Sequence, residues 1–332
     1  MGKIAVHGFG RIGRSTTRAA LSGGLFVPAS ISDIKELPAL AALFEVDSNY
    51  GRWPEEVRAA ERKLVAGERQ IPFFDTSESL PDWASLGVEV VVDCTSLATR
   101  RSGAQAHIDR GASKVLVSAA SKSLEDCDAV LLPGVNADSY DPAKHHIVSM
   151  ASCTTNALAP VVKVIRERFG LKTGFFATVH AYTATQSLTD QPLRDRRDSW
   201  AATENIIPSS SGAAKALKFI WPELMITGKA YRVPVRTGSI VELNVVVERE
   251  TSDDEVRDVF RAAAADGPLK GIMGVLEEEY ASSRIVGEPL SSVVDLPLVQ
   301  VLGGHMLSVA AWYDNEMGYA TRLAETALRM AS

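Results

Sequence analysis

The chain has little cysteine: Cys94, Cys127 and Cys153 are three in 332 residues, an odd number at wide spacing. That excludes a disulfide framework and reads as three thiols in a reducing compartment. No apolar run approaches the roughly 18 residues that a membrane span needs. The start, Met1-Gly2-Lys3-Ile4, leads into a short strand pattern and not a secretory signal. Gly2 also lacks the Ser or Thr at position 6 that myristoylation would want. Basic charge is short as well, since 35 Lys and Arg against 41 Asp and Glu give a net charge of −6 at pH 7. This is the wrong sign for a protein whose main partner is a phosphate polymer, so nucleic acid is not expected. No His or Cys spacing suggests a metal site, and there are no repeats or low-complexity linkers. A soluble cytoplasmic protein with no membrane partner is expected, and its chemistry must come from local motifs.

What is present supports a large core. Hydrophobic residues make up 46% of the chain and charged residues 23%, and the length suggests two domains. Residues 1–150 alternate short Val/Ile/Leu runs with helix-length segments: Lys3 to His7, Arg11 to Leu21, then a run near Phe26 to Ile31. Val88–Val92, Lys114–Val117 and Ala129–Leu132 are further strand candidates, and a helical stretch from Arg101 to Arg110 stops at Gly111. Such alternation favours a parallel sheet with crossover helices. The second half has longer alternating stretches, such as Ser239–Val247, that suggest a mainly antiparallel sheet. The closing segment from Glu316 to Met330 is helical in composition and can pack back on the first domain.

The first chemical motif follows the first strand candidate. Gly8-Phe9-Gly10-Arg11-Ile12-Gly13 stands between that strand and a helix-like stretch. There, glycines allow a tight turn, close approach to a pyrophosphate and close helix packing, while the helix N-terminus offers amide hydrogens to the anion. The spacing alone is weak, but Asp33 follows Gly13 by 20 residues at the end of the next strand candidate, where a carboxylate accepts ribose hydroxyls. Asp33 also disfavours the 2′-phosphate of NADP. A glycine-rich turn with Asp33 as a helix cap is the plainer alternative.

The second motif is Ala151-Ser152-Cys153-Thr154-Thr155-Asn156, between the strand candidate Ile147–Met150 and an apolar-periodic stretch that stops at Gly170. It would place Cys153 at a helix N-terminus, where the dipole and free amides favour thiolate. A cysteine taken alone is more often a buried small hydrophobe, and Pro160 interrupts the helix and leaves its start open. His180, on the strand candidate Phe176–Thr183, offers a base, and a thiolate–imidazolium pair is the usual way to hold such a nucleophile ready.

These residues resemble glyceraldehyde-3-phosphate dehydrogenases. The matching segments run in family order over nearly the whole chain. They are Gly8–Arg14, Ala151–Asn156, His180–Gln186, Asn205–Pro208 with Ser211–Lys215, Arg232–Pro234, and Trp312–Glu316. The resemblance implies an α/β protein with a Rossmann domain over 1–151, completed by a C-terminal helix at about 316–332. An α+β catalytic and oligomerisation domain with a mainly antiparallel sheet would span 152–315. It further implies a homotetramer with NAD as oxidant, acting on a small phosphorylated aldehyde and inorganic phosphate. Cys153 would form a thiohemiacetal and then a thioester, with His180 as base. Gly8, Gly10, Arg11, Ile12, Gly13, Asp33, Ser118 and Asn315 would bind the cofactor. Thr183 and Arg232 would hold the substrate phosphate, and Ser152, Thr154, Ser211 and Gly212 the attacking phosphate, with Arg197 as a further contributor. Arg194–Asp198 also reads as a solvated charged loop, and Asn315 as a cap of the last helix.

The chain departs from the family pattern after the strand ending at Cys94-Thr95, where Ser96 and Ala98 replace a usual glycine and aromatic, and an arginine near Asp75 or Thr76 is missing. These differences are expected to leave the adenine less enclosed. His7, Arg284 and Trp200 replace a usual asparagine, aspartate and arginine, and Ala157 stands where a second cysteine is frequent. An erythrose-4-phosphate dehydrogenase, a specialised paralogue or a binding protein without turnover are the competing readings. The run Ala181-Tyr182-Thr183-Ala184-Thr185-Gln186 and the intact Cys153, His180, Arg232 and Asn315 favour the triose enzyme.

Overall fold

The computed structural model describes residues 2–332, so Met1 of the start segment lies outside the described residues. The chain divides into two compact units, one of Met1–Leu131, Asp138–Ala151 and Ala320–Ser332, the other of Leu132–Ala137 and Ser152–Tyr319.

The first unit is a doubly wound sheet. Lys3–His7 lies at its centre, parallel to Ser30–Asp33 on one side and to Val88–Asp93 on the other. Lys114–Val117, Ile147–Ser149 and Ala129–Val130 continue the parallel sheet outward. Chain order therefore reverses at the first strand, and such a switch point is where open α/β sheets place a crevice for ligands. The run near Phe26 forms its strand later than the sequence pattern suggests, at Ser30–Asp33. The other edge was not anticipated: Arg69–Asp75 pairs parallel with Ser30–Asp33, then Lys63–Ala66 and Val57–Ala60 follow antiparallel. The core behind this edge is aromatic. Phe44 packs 5.9 Å from Phe9 and 5.3 Å from Trp53, ring centre to ring centre. Arg18, from the helix Arg11–Ser22, lies over both Phe44 and Trp53 and donates to the carbonyls of Phe44, Glu45 and Gly51. The C-terminal helix, Met317–Met330, is pinned at its end, where Lys114 Nζ donates to the Met330 carbonyl at 2.6 Å and Gly2 N to that of Ala331 at 2.7 Å.

The second unit is a mixed sheet. In spatial order its strands are Ile207–Ser210, Ile226–Val233, Leu171–Ala181, Ser239–Val247, Met306–Tyr313, Ser292–Asp295 and Met273–Leu276. Most neighbours are antiparallel, but Leu171–Ala181 runs parallel to Ile226–Val233, and Met273–Leu276 parallel to Ser292–Asp295. The helix Cys153–Phe169 buries Val161, Val162, Val164 and Ile165 against this sheet. It runs unbroken through Pro160, which corrects the expected interruption. Proline cannot donate to the carbonyl four residues back, a loss of roughly 3 kcal/mol in an exposed helix. Here burial of Pro160 and its neighbours offsets it.

Candidate active site

The glycine-rich turn has a different reason for each glycine. Gly8 has φ +84°, and a Cβ there would lie 2.7 Å from Thr95 Cγ2 and 2.9 Å from Thr95 N, so the turn and the crossing segment need its bare backbone. A Cβ on Gly13 would come within 2.0 Å of the Gly8 carbonyl, which sets how closely the helix packs on the turn. Around Gly10 a Cβ would meet nothing within 4 Å. Open space thus lies beside a helix N-terminus that has no side-chain cap and no acidic residue in its first turn, which suits an anion. Arg11 opens that helix and donates to Asp47 Oδ2 at 2.7 Å, and Ile12 beside it is half-buried. Asp33 accepts from Phe9 N at 2.6 Å and from Lys35 N at 2.9 Å, so it ties the turn to the end of its strand while staying partly exposed. Ser118, just past Lys114–Val117, is half-buried and donates its amide to the Asp93 carbonyl at 2.9 Å.

The departures from the family pattern sit in the segment that follows Thr95. Ser96 has φ +66°, a left-handed backbone that accounts for the usual glycine. Ala98 is only 1% exposed, and Leu97 beside it is 78% exposed. Ala98 therefore faces the interior, against the start of the helix Arg101–Asp109, where a Cβ on Gly103 would lie 2.9 Å from its Cα. The expectation that Ala98 leaves a gap over an adenine does not hold; Leu97 is the apolar side chain that projects outward.

Cys153 is the first residue of its helix, whose N-cap is Ser152: the Ser152 hydroxyl accepts from Thr155 N at 3.1 Å. Ala151, just before the cap, has φ +54°, so strained backbone leads into the nucleophile. His180 Nε2 lies 3.4 Å from Cys153 Sγ. In the parallel register His180 faces Arg232 on the neighbouring strand, and Arg232 Nη1 reaches His180 Nδ1 at 2.5 Å. The same nitrogen is 2.7 Å from the Ala181 carbonyl. Burial, helped by the Arg232 charge, pushes His180 down to about 3. Burial pushes the Cys153 thiol up, against the Arg232 charge and the Thr154 amide, which pull it down. Burial thus works against charge on both groups, while the Arg232 charge favours the thiolate.

Tyr313 sits behind the pair, its ring edge-on to His180 at 5.8 Å. Its hydroxyl bonds are directional. Thr178 donates to the Ile240 carbonyl at 3.1 Å, so it must accept from Tyr313 at 2.8 Å, which leaves Tyr313 to accept from Thr154 at 3.1 Å. The Thr154 hydroxyl therefore turns inward. Ser211 accepts from Ala213 N at 3.3 Å ahead of the helix Ala213–Ile220, and Gly212 is that helix's exposed N-cap. Thr183 is half-buried and shares Gln186 Oε1 through its amide at 3.0 Å and its hydroxyl at 3.1 Å. Arg197 stands on an exposed loop, its amide bonded to Asp195 Oδ1 at 2.9 Å.

Asn315 is buried and accepts from Gly238 N at 3.2 Å and Ser239 Oγ at 2.9 Å. The last helix is capped by Asp314, which takes the amides of Glu316 and Met317. Ser239, Tyr313 and Thr178 are site residues that sequence reasoning missed. Ser239 links Ala181 N to Asn315, and only the strand register could have revealed it.

In the first unit, His7, Asp93 and His107 bring possible ligand atoms within 4.8 Å of one another. His107 has no lone pair left for a metal: Nδ1 accepts from Trp83 Nε1 at 3.1 Å, so Nε2 carries the proton that goes to Asp93 Oδ2 at 3.0 Å. Asp93 passes the connection on to the Thr95 amide and hydroxyl beneath the glycine turn.

Residues 2–101 match the family model for the glyceraldehyde 3-phosphate dehydrogenase NAD binding domain, and residues 152–315 the model for the C-terminal domain. The chain is 46% identical to a glyceraldehyde-3-phosphate dehydrogenase of Kitasatospora aureofaciens, with all of both chains covered. It is 42% identical to the enzyme of that name from Streptomyces coelicolor, over 97% of this chain and 96% of the relative. For that of Geobacillus stearothermophilus the identity is 41%, over 99% and 98%.

Proposed function

The chain belongs to the glyceraldehyde-3-phosphate dehydrogenase family, and from that premise we propose that it oxidises D-glyceraldehyde 3-phosphate to 1,3-bisphosphoglycerate with NAD and inorganic phosphate. The observation that carries this is the contact of Cys153 Sγ with His180 Nε2 at 3.4 Å, at a helix N-terminus and beside the Arg232 guanidinium. Cys153 attacks the aldehyde carbon to give a thiohemiacetal, His180 Nε2 takes the hydroxyl proton, and phosphate oxygen cleaves the thioester that follows oxidation. The acyl group leaves as an acyl phosphate and the sulfur stays on the enzyme. When bound, NAD supplies the two-electron acceptor for that oxidation.

The chain's own residues fit the cofactor. The space beside Gly10, the uncapped helix start at Arg11, Ile12 and Gly13, and the tight turn at Gly8 suit a pyrophosphate, and Asp33 suits ribose hydroxyls. Asn315, fixed through Oδ1, is assigned to the nicotinamide carboxamide, and Ser118 to the cofactor side of its sheet. Arg232 and Thr183 are assigned to the substrate phosphate. Ser152, Ser211, Gly212 and the Thr154 amide are assigned to the attacking phosphate, with Arg197 a loop contributor. The assay is absorbance at 340 nm: turnover with the triose phosphate should need inorganic phosphate. A rate that is higher with erythrose 4-phosphate, or independent of phosphate, would overturn the assignment.

The second unit also carries an apolar outer sheet face. Phe175, Val179, Val246 and Met306 are exposed there on three adjacent strands. We infer that copies of this chain pair through that face and assemble as a homotetramer. Three cysteines without disulfides fit the cytoplasm as its place of work, and among the described residues no helix is long and apolar enough to cross a membrane.

A further inference from the structure

His7 ends the central strand of the first unit, directly precedes Gly8 of the glycine turn, and is buried. Where the family pattern has an asparagine, which does not titrate, this chain has an ionisable ring beneath its cofactor turn. The ring lies between the two flanking strands. On one side Nδ1 is 2.9 Å from the hydroxyl of Ser32, the residue before Asp33. On the other side a ring nitrogen is within 4.8 Å of an Asp93 oxygen, and the His107 ring stands edge-on at 4.9 Å. Neutral and charged rings both fit this place. A neutral His7 accepts from the Ser32 hydroxyl at Nδ1, and a proton arriving there only reverses that bond, because a hydroxyl accepts as well as donates. The charge that comes with the proton has the Asp93 carboxylate beside it. The charged and titratable groups facing the ring are Asp93, His107 and Asp33. Burial and His107 work against charge on His7, the two carboxylates work for it, and burial wins, so the ring is held below the usual histidine range.

We propose that His7 is a proton-linked partner of the cofactor's pyrophosphate: it takes up a proton when NAD binds, and a protonated His7 tightens that binding. The inference rests on the reading that the glycine turn holds the pyrophosphate, and adds what that charge does to the ring beneath it. The pyrophosphate brings further negative charge to a turn that begins one residue after His7, and so favours the imidazolium. Salt screens such an interaction little, because the ring is buried. The two effects are one coupling, since cofactor and proton must raise each other's affinity by the same factor. The coupling acts in the pH window between the lowered value of the free protein and the raised value of the complex. NADH carries the same pyrophosphate, so a fall in pH through that window holds both cofactor forms more firmly.

The test is calorimetric titration with NAD in buffers of different ionisation enthalpy, for the parent and for His7→Asn, which restores the usual residue of the family. On the acid side of neutrality the parent should take up a fraction of a proton per NAD bound, and His7→Asn less. Between about pH 8 and pH 5.5 the Kd of the parent should fall about fivefold relative to that of His7→Asn, the low end of common coupling factors. NMR of histidine-labelled parent, with His7 assigned by difference from His7→Asn or His7→Gln, should show saturating NAD moving the His7 titration to higher pH. Equal proton uptake and equal pH slopes in parent and His7→Asn overturn the proposal. So does a His7 titration that NAD leaves in place or moves to lower pH. These outcomes leave the functional reading standing, whereas NAD that binds at no pH would overturn that reading and the proposal with it.

Discussion

Ser96 is held in a left-handed backbone at φ +66°, at a position where a glycine would carry no strain. Ser96→Gly should therefore stabilise the first unit. A residue with a Cβ spends roughly 1–2 kcal/mol in this region. The extra freedom of glycine in the unfolded chain returns about 0.4–1 kcal/mol of that. Ser96 is exposed, so little packing is lost with its side chain. The net gain should be about 0.5–1 kcal/mol, or about 1–4 °C in Tm for a unit of this size. Urea midpoints at fixed protein concentration and without NAD are the assay, because ligand and assembly both shift apparent stability. The neighbouring position makes the contrast: Ala98→Phe should lose about 1–3 kcal/mol by overpacking, because Ala98 is buried against the backbone at Gly103. A lower or unmoved midpoint for Ser96→Gly at unchanged slope would refute the strain argument, and tighter NAD binding by a stable Ala98→Phe would refute the inward placement of Ala98.

Substoichiometric iodoacetamide should label Cys153 first on peptide mapping, because it stands at a helix start against His180 Nε2 with the Arg232 charge opposing burial, whereas burial pushes Cys94 up to about 12; even labelling of all three with activity retained would count against it. His180→Asn should slow the single-turnover oxidation by about 10²- to 10⁴-fold, the usual size of a lost general base, and a normal rate would remove His180 from the chemistry. Asp93 is buried, which works against its charge, yet the hydrogen bonds it accepts from His107 and from the Thr95 hydroxyl hold its carboxyl below the usual carboxylate range. The stability this contributes is present above about pH 4 and lost as pH falls through the lowered value, so Asp93→Asn should cost stability at pH 7 and flatten the acid limb of a stability–pH curve; an unchanged acid limb would show that other carboxylates set it. Val246→Glu should shift the assembly to smaller species in light scattering with the monomer fold retained by circular dichroism, and an unmoved mass would clear the sheet face of an assembly role.

Much of the fold was legible because burial imposes a period. Lys3–His7, Lys114–Val117 and Ser239–Val247 have the bounds that their apolar runs indicate, the first two buried on both faces and the third alternating. The edge strands Val57–Ala60 and Lys63–Ala66 were missed for the complementary reason. They are short and lack strict alternation, the first half-buried and the second buried throughout Leu64–Ala66, and their pairing is fixed by the turn at Glu61-Arg62, where two residues other than glycine take positive φ. Pro160 misled for another reason: a local rule about helix interiors was overridden by tertiary burial, which composition cannot show.

The site was legible where chemistry depends on neighbours in sequence and obscure where it depends on register. Cys153 announces itself through the cap Ser152 and the small residues around it, and Asp33 through its distance from Gly13. The contacts that decide protonation come instead from residues far apart in the chain: Arg232 lies 52 positions from His180 and Tyr313 135 positions from Thr178. The parallel pairing of Leu171–Ala181 with Ile226–Val233 puts His180 opposite Arg232, and a slip of one residue would turn the guanidinium to the other face of the sheet. A lone histidine on a strand says that a base is available. What surrounds it is set across the sheet, where Arg232 Nη1 lies 2.5 Å from its far nitrogen and adds a charge that helps to push His180 down.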